Sequence, residues 1–447
     1  MTVDLTTFQE RLEHVLTGWL PWQRWYGSKG RPLDRVRIVR TTEFADALRT
    51  GGPRGVILLL RTGFADAGAP EYYQVPLGIR TVIGQELEPY VIAGLDDLLV
   101  YEAVGDNELV AGLLDLAGAR PRLPGSAAPS RPLGVEQSNT SVVVDERYLL
   151  KIFRRIGAGT NPELEVPQAL APTANRHITA VRGAVEGELD GEPVTYATVQ
   201  DFLPAATDGW AAALDARRSP AADSFAHDAR AMGEALARVH HDLAEQLGTR
   251  PTGPTELALL ADRFTVLLDS AVRRVDALRP FRTPLRSAFA RLTGVTSAPP
   301  AQRVHGDLHL AQMLRSSGRW MLVDFEGEPQ LPMTERVARH LPLRDVAGML
   351  RSFDYAAQSS TGPSSGSSSG ASAWSGVCGD AFCAGYARVS GQDPRQYSVL
   401  LRAHVLARAI HELMYEIDNR PERAPLPLQS IGRLVAECGT TVGEHTW

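Results

Sequence analysis

One stretch constrains this chain more than any other: His305-Gly306-Asp307-Leu308-His309-Leu310-Ala311-Gln312, followed by Val323-Asp324-Phe325-Glu326-Gly327-Glu328-Pro329. One Asp stands five residues before an amide side chain, and a second Asp stands twelve residues after that amide. The apolar run Trp320-Met321-Leu322-Val323 leads into the second Asp as a strand. A strand-turn-strand could carry two acids by chance. Spacing, residue type and strand nevertheless agree on one chemistry, the transfer of a phosphoryl group from a nucleotide. That reaction needs one carboxylate to accept the acceptor hydroxyl's proton, and an amide and a second carboxylate to hold Mg²⁺ on the phosphates. Asp307 is therefore the candidate base, and Gln312 and Asp324 are the candidate metal ligands. His309 flanks the transfer point with Asp307.

Protein kinases write the same parts as H-R-D-x-x-x-x-N and D-F-G. Here Gln replaces Asn, and D-F-E replaces D-F-G. The lysines add a second argument. Of 46 basic residues only two are Lys, Lys29 and Lys151, so this chain uses Arg wherever either will serve. An ammonium is a compact point charge and a guanidinium a planar fork, so a surviving Lys is expected where a phosphate needs the former. Lys151 lies in the alternating run Arg147-Tyr148-Leu149-Leu150-Lys151-Ile152-Phe153, which reads as a strand. A kinase pairs such a Lys with a Glu on the next helix. In Asn161-Pro162-Glu163-Leu164-Glu165-Val166 the first choice is Glu165, with Glu163 second. The alternative for Lys151 is an exposed strand end.

The surrounding segments are read to match. Val56 to Arg61 and Tyr72 to Leu77 read as strands, Leu98 to Leu116 as a helix, and Arg120 to Arg131 as a linker. Ser141 to Asp145 and Tyr148 to Phe153 read as a hairpin. Before it, Glu136-Gln137-Ser138-Asn139-Thr140 occupies the place of a phosphate-covering loop; with almost no Gly, the small side chains of Ser138, Asn139 and Thr140 would make the contacts. Thr198-Val199-Gln200-Asp201-Phe202-Leu203-Pro204 ends a strand where a hinge would bind adenine, which nominates Gln200 and Phe202. From about residue 206 the chain reads as mainly helical, with helices at 225–247 and 397–419 and a Ser-rich flexible loop at 359–372.

Composition serves mainly to exclude. A chain of 447 residues exceeds one simple core, so two or three lobes are expected. A net charge of −6 speaks against nucleic acid or an anionic membrane as a partner. No apolar run reaches membrane-span length, and the N-terminus lacks signal-peptide order, so a cytoplasmic protein is expected. The three cysteines, Cys378, Cys383 and Cys438, fit reduced thiols better than a disulfide framework or a zinc site.

With these residues in view, the chain resembles the aminoglycoside-phosphotransferase-like small-molecule kinases, and within them the maltokinase-like branch of actinobacteria. The resemblance is carried by Arg24-Trp25-Tyr26-Gly27-Ser28-Lys29-Gly30, by His305 to Gln312, by Asp324 to Pro329, by Leu343 to Phe353, and by Tyr415-Glu416-Ile417-Asp418-Asn419-Arg420-Pro421. It implies an α+β, bilobal, eukaryotic-protein-kinase-like fold with an N-terminal cap subdomain. The expected limits are 1–90 for the cap, 91–205 for the segment completing the N-lobe, and 206–447 for the helical C-lobe. It also implies ATP and Mg²⁺. Within that branch the chain is more similar to glucosamine kinases, which form glucosamine 6-phosphate, than to maltokinases, which form maltose 1-phosphate. A catalytically dead kinase-like binding module is the alternative from another class, and Lys151, Asp307, Gln312 and Asp324 argue against it. A monomer or weak homodimer is expected.

The acceptor adds a physical requirement. Glucosamine carries a partly protonated amine, so a selective site should offer carboxylates, whose unpaired burial also rejects neutral sugars. Glu412 and Glu416, four apart, share a face of the last long helix, with Tyr415 beside them. The alternative is that both acids solvate a surface or pair with Arg408 or Arg420, and that Tyr415 packs.

Overall fold

The computed structural model describes residues 5–66, 68–119, 128–134, 138–218, 223–329, 331–359 and 368–440. The chain divides into two compact units. One comprises Met1–Gln168, Thr179–Pro204 and Pro329–Thr334; the other comprises Ala169–Ile178, Ala205–Glu328 and Glu335–Trp447.

The first unit contains two antiparallel sheets. Helix α1 (Leu5–Trp19) precedes β1 (Leu33–Asp46), β2 (Arg54–Phe64), β3 (Tyr72–Arg80), β4 (Val91–Leu95) and β5 (Leu98–Glu102). These form one sheet in the order β1-β2-β3-β5-β4. Helix α2 (Asn107–Leu116) leads to the second group: β6 (Ser130–Pro132), β7 (Asn139–Val144), β8 (Tyr148–Phe153), the short β9 (Arg155–Ile156), helix α3 (Pro162–Leu170), β10 (Val181–Leu189) and β11 (Glu192–Asp201). The second sheet runs β10-β11-β8-β7-β6, while β9 pairs with β3.

Strand β2 shows why the layers form. Its residues 56 to 60 are all buried, because alternate side chains enter different cores. Val56, Leu58 and Leu60 pack with Leu12, Leu16 and Trp25 on the α1 side. Ile57 and Leu59 pack with Val110 and Leu114 of α2 and with Val142, Leu150 and Val199 of the second sheet. The Arg24–Gly30 motif is tied into this unit: the Arg154 guanidinium lies 4.7 Å from the Trp25 ring centroid, and the Ser28 hydroxyl donates to Glu71 at 2.8 Å. The expected helix at 98–116 is instead strand β5 followed by α2. Asp106 caps α2 by accepting from the Glu108 N–H, so the helix starts later than its apolar pattern suggests.

The second unit is mainly helical. Its strands are β12 (Thr207–Asp208), β13 (Thr249–Arg250), β14 (Ala301–Gln302), β15 (Met313–Ser316) and β16 (Arg319–Leu322). β12, β15 and β16 form a three-stranded sheet, and β13 pairs with β14. The helices are α4 (Gly209–Ala216), α5 (Ala226–Leu247), α6 (Pro254–Arg274), α7 (Arg282–Ala290), the single turn α8 (Met333–Arg336), α9 (Leu343–Ser359), α10 (Ser368–Ser390), α11 (Ser398–Asn419) and α12 (Pro425–Thr440). Phe225, Phe353, Phe382 and Trp374 form a buried aromatic cluster, with Phe225 stacked on Trp374 and the other contacts edge-to-face. The end of the expected Ser-rich loop is already helical, since α10 starts at Ser368; residues 360–367 lie outside the described residues. Cys378 and Cys383 are free thiols, and burial pushes both up to about 12. Among the described residues no helix is long and apolar enough to cross a membrane.

Candidate active site

In the first unit, Lys151 sits mid-strand on β8. Its cross-strand neighbours are Ser141 on β7 and Thr198 on β11, both fully buried. Lys151 itself is 4% exposed, so it is not an exposed strand end. Its Nζ lies 3.9 Å from Glu163 Oε1. Glu163 is fixed from two sides. Asn161 Oδ1 accepts its backbone N–H at 2.9 Å, and Gln200 Nε2 donates to its Oε1 at 2.7 Å. Gln200 Oε1 in turn accepts from Thr179 at 3.0 Å.

This geometry corrects several expectations. Glu163, the second choice, lies 3.9 Å from Lys151, and Glu165, the first choice, has a buried carboxylate oxygen on the same helix. Gln200 orients Glu163; its side chain is buried between strand and helix. The Phe202 N–H, the donor a hinge would offer adenine, is bonded to the Arg147 carbonyl at 2.8 Å. The Thr140 hydroxyl accepts from Arg154 Nε at 2.8 Å. Strand alternation puts Thr140 on the face opposite Ser141 and Lys151. Asn139 is buried on the Lys151 face and Ser138 is exposed at the strand entrance; Glu136 and Gln137 lie outside the described residues.

The second unit holds the motif from which the sequence reading began. The loop from His305 to Gln312 connects β14 to β15 and is held by its backbone. The N–H groups of His305 and Gly306 donate to the two oxygens of Asp345 at 2.7 and 2.9 Å. Burial would raise Asp345, but the hydrogen bond and charge of His240, with His305 and the Gly306 N–H, hold it at about 2. His240 is thus structural, its other ring nitrogen meeting the Tyr386 hydroxyl at 3.0 Å. Gly306 has φ +86°, a left-handed turn that a side chain would strain. Gly348 on α9 lets that helix touch the loop, since a Cβ there would lie 2.2 Å from the Leu308 carbonyl oxygen. The Ser352 hydroxyl, one turn on, accepts the Leu310 N–H at 3.0 Å.

These restraints bring the candidate metal ligands together. The Val323 N–H donates to the Gln312 carbonyl at 3.0 Å, and Gln312 Nε2 donates to Asp324 Oδ2 at 2.9 Å. Asp324 has φ +66°, an uncommon conformation for a residue with a side chain, and such strain concentrates at functional sites. His305 supports the pair from behind, bonding the Val323 carbonyl at 2.9 Å and packing on Phe325.

The acceptor side differs most from the sequence reading. Asp307 is ion-paired with Arg408 at 2.7 Å. Arg408 also reaches Glu328 at 3.5 Å, and Glu328 pairs with Arg344 at 3.0 Å. Glu412 is taken by Arg351 at 2.6 Å, and Glu416 by Arg420 at 2.7 Å and the Tyr355 hydroxyl at 2.9 Å. Neither acid presents an open carboxylate to a sugar, and Glu416 is only 2% exposed. The reason is the density of Arg near α11, which supplies a guanidinium for each acid. Tyr415 is 39% exposed, with Arg420 over one face. Half-buried His309 is pushed down by burial, against the pull of Asp307. Glu328 and Asp345 had no assigned role in the sequence, and Arg408 figured only as a possible partner of Glu412 or Glu416. The available signal for Arg408 was its spacing, one helical turn before Glu412.

Comparison with known proteins bears on the fold and on part of the sequence. Residues 19–106 match the model of the maltokinase N-terminal cap domain. Two curated relatives are glucosamine kinases. That of Streptacidiphilus jiangxiensis is 33% identical over 245 residues, covering 51% of this chain and 56% of the relative. That of Mycolicibacterium smegmatis is 32% identical over 244 residues, covering 52% and 60%. In these matches the chain spans little more than half the length of either relative. The structure of a glucosamine kinase in complex with glucosamine, ADP and inorganic phosphate superposes over 97% of this chain and 100% of that one, with a TM-score of 0.69 at 23% identity. The fold is therefore that of a glucosamine kinase, with mixed sheet and helix and a maltokinase-type cap.

Proposed function

We propose that this protein is an ATP-dependent sugar kinase that phosphorylates glucosamine at its 6-hydroxyl. The observation that carries the reading is the Gln312–Asp324 pair, 2.9 Å apart on a restrained loop that also bears Asp307. An amide and a carboxylate are the hard oxygen donors that Mg²⁺ prefers, so the residues present fit that ion. Gln312 and Asp324 would hold it, and once bound it would offset the charge of the phosphate oxygens. Lys151, oriented by Glu163, is assigned to the nucleotide phosphates, with Ser138 and Asn139 as the neighbouring polar contacts. Asp307 accepts the proton of the attacking hydroxyl, and His309 lines the same side. The carboxylates assigned to the sugar's amine are Glu328 and Glu412, which the amine reaches only by competing with their partners Arg344 and Arg351, and which with Asp307 supply the negative charge around Arg408. Tyr415 is the aromatic open to the ring.

Similarity to two glucosamine kinases at 33% and 32% identity supports the choice of sugar. A second reading, maltokinase, draws support from the cap match at 19–106. ATP consumption by the purified protein, measured with glucosamine, maltose, glucose, N-acetylglucosamine and an aminoglycoside, separates these. Glucosamine should be the preferred acceptor, and N-acetylglucosamine, which lacks the charge, should be poor. Faster turnover of maltose would replace the first reading by the second. No turnover with any acceptor would leave a binding module.

A further inference from the structure

We infer that Arg408 is a positioning residue for phosphoryl transfer, fixing the Asp307 carboxylate so that one oxygen is anchored and the other receives the acceptor's proton. This rests on the reading of Asp307 given above. Four observations carry it. The Arg408–Asp307 contact is 2.7 Å and is made by Oδ1, which leaves Oδ2 to accept from a hydroxyl. The two side chains are only 22% and 21% exposed, so the pair is partly desolvated and stronger than a surface ion pair. The guanidinium is itself held: the same nitrogen reaches Glu328 at 3.5 Å, and Arg344 anchors Glu328 at 3.0 Å, so the charge is set between α9 and α11. Finally, the stretch from His305 to Gln312 contains no Lys or Arg, so the loop supplies no permanent cation to hold its own carboxylate.

A free Asp side chain rotates about its first torsion and exchanges its oxygens. Tethering one of them removes that freedom before substrate arrives, which is the form of pre-organisation that raises turnover rather than affinity. Guanidinium suits the task better than ammonium, because its planar group holds a fixed orientation between Asp307 and Glu328.

The test compares Arg408→Met, Arg408→Lys, Arg408→Ala and Asp307→Asn with the unaltered enzyme, using whichever acceptor it turns over fastest. Arg408→Met should lower kcat by about 10- to 150-fold, the range of one charge-assisted hydrogen bond, with KM for ATP changed less than twofold. Arg408→Lys should recover part of the rate. Millimolar guanidinium chloride should restore Arg408→Ala in a saturable manner, an effect that a purely structural arginine does not produce. Wild-type kcat in Arg408→Met overturns the inference. So does a rate loss that tracks the melting temperature and responds neither to lysine nor to guanidinium. If Asp307→Asn keeps its rate, the reading of Asp307 falls and this inference with it. If Asp307→Asn is dead while Arg408→Met is unimpaired, only the role of Arg408 falls.

Discussion

The pairing of Lys151 with Glu163 invites a sharp test, because the sequence alone favoured the acid two residues on. The perturbation is Glu163→Gln, which keeps shape and removes charge. At the observed 3.9 Å, two unit charges in a medium of effective dielectric about 20 attract by roughly 4 kcal/mol before other costs. That is a gross figure. The glutamine still offers Gln200 an acceptor oxygen, so the Thr179–Gln200 chain survives and the backbone cap by Asn161 is untouched. The net loss should be nearer a single charge-assisted contact, about 1.5–3 kcal/mol, which is about 10- to 150-fold in kcat/KM for ATP. The assay is steady-state turnover with ATP varied at saturating acceptor, then acceptor varied at saturating ATP. The deficit should fall on ATP, with the acceptor KM little changed. Glu165→Gln, made in parallel, should cost ATP kinetics less than Glu163→Gln does. If Glu165→Gln is the more damaging, or if Glu163→Gln leaves ATP kinetics intact, then Glu163 does not set the position of Lys151.

Other consequences are simpler to state. Asp324→Ala should weaken Mg²⁺ dependence and rate together, and Gln312→Ala should do so more mildly, because an amide is the weaker ligand; an unchanged Mg²⁺ titration in both would remove the metal assignment. Glu416→Gln should lower the melting temperature, by a free energy of about 1–3 kcal/mol for a buried acid losing part of its hydrogen bonding to Tyr355 and Arg420; an unaltered transition would mean the acid is not structural. His404 gives a pH signature. Burial holds it at about 3 against an ordinary 6.5, so the unfolded chain binds a proton there that the folded chain refuses. Stability should therefore fall as pH drops below about 6.5, by about 2 kcal/mol at pH 5 from this residue. His404→Leu should flatten that limb in urea unfolding, and equal slopes in the two proteins would refute the assignment.

Much of the second unit was legible because local chemistry and local geometry coincide there. The spacing from Asp307 to Gln312 is one loop between two short strands. The twelve residues to Asp324 are one hairpin, and a hairpin returns its ends to hydrogen-bonding distance whatever else the chain does. The strands of the first unit were legible for a similar reason, since the run of valines marks β7 and the apolar run around Lys151 marks β8 directly. Less legible was everything that depends on which face of an element looks inward. Glu163 and Glu165 read alike in a sequence, and only the packing of α3 brings Glu163 to 3.9 Å from Lys151. Thr140 is adjacent to Ser141 but lies on the other side of the sheet. The stretch 98–116 has helical apolar spacing throughout, yet its first five residues join the sheet because β3 offers an unpaired edge there.

The acceptor side shows a different kind of limit. A sequence rich in Arg supplies many possible partners for each acid, and spacing along one helix cannot choose among partners on others. Glu412 lies one turn from Arg408, yet Arg351 of α9 holds it and Arg408 turns to Asp307 instead. The exchange has a consequence for charge. Asp307, Glu328 and Glu412 are offset by Arg408, Arg344 and Arg351, so this side is close to neutral rather than a bare anionic pocket. Selection of an aminosugar there cannot rest on long-range attraction to an unpaired acid. It has to come from an amine competing with a guanidinium for a carboxylate that both can reach. Such competition weakens as salt screens the partly exposed members, so the preference for glucosamine over glucose should shrink at high ionic strength while turnover of glucose itself stays nearly constant. Measuring both acceptors at low and at molar salt decides the point, and a preference indifferent to salt would show that shape, not charge, selects the sugar.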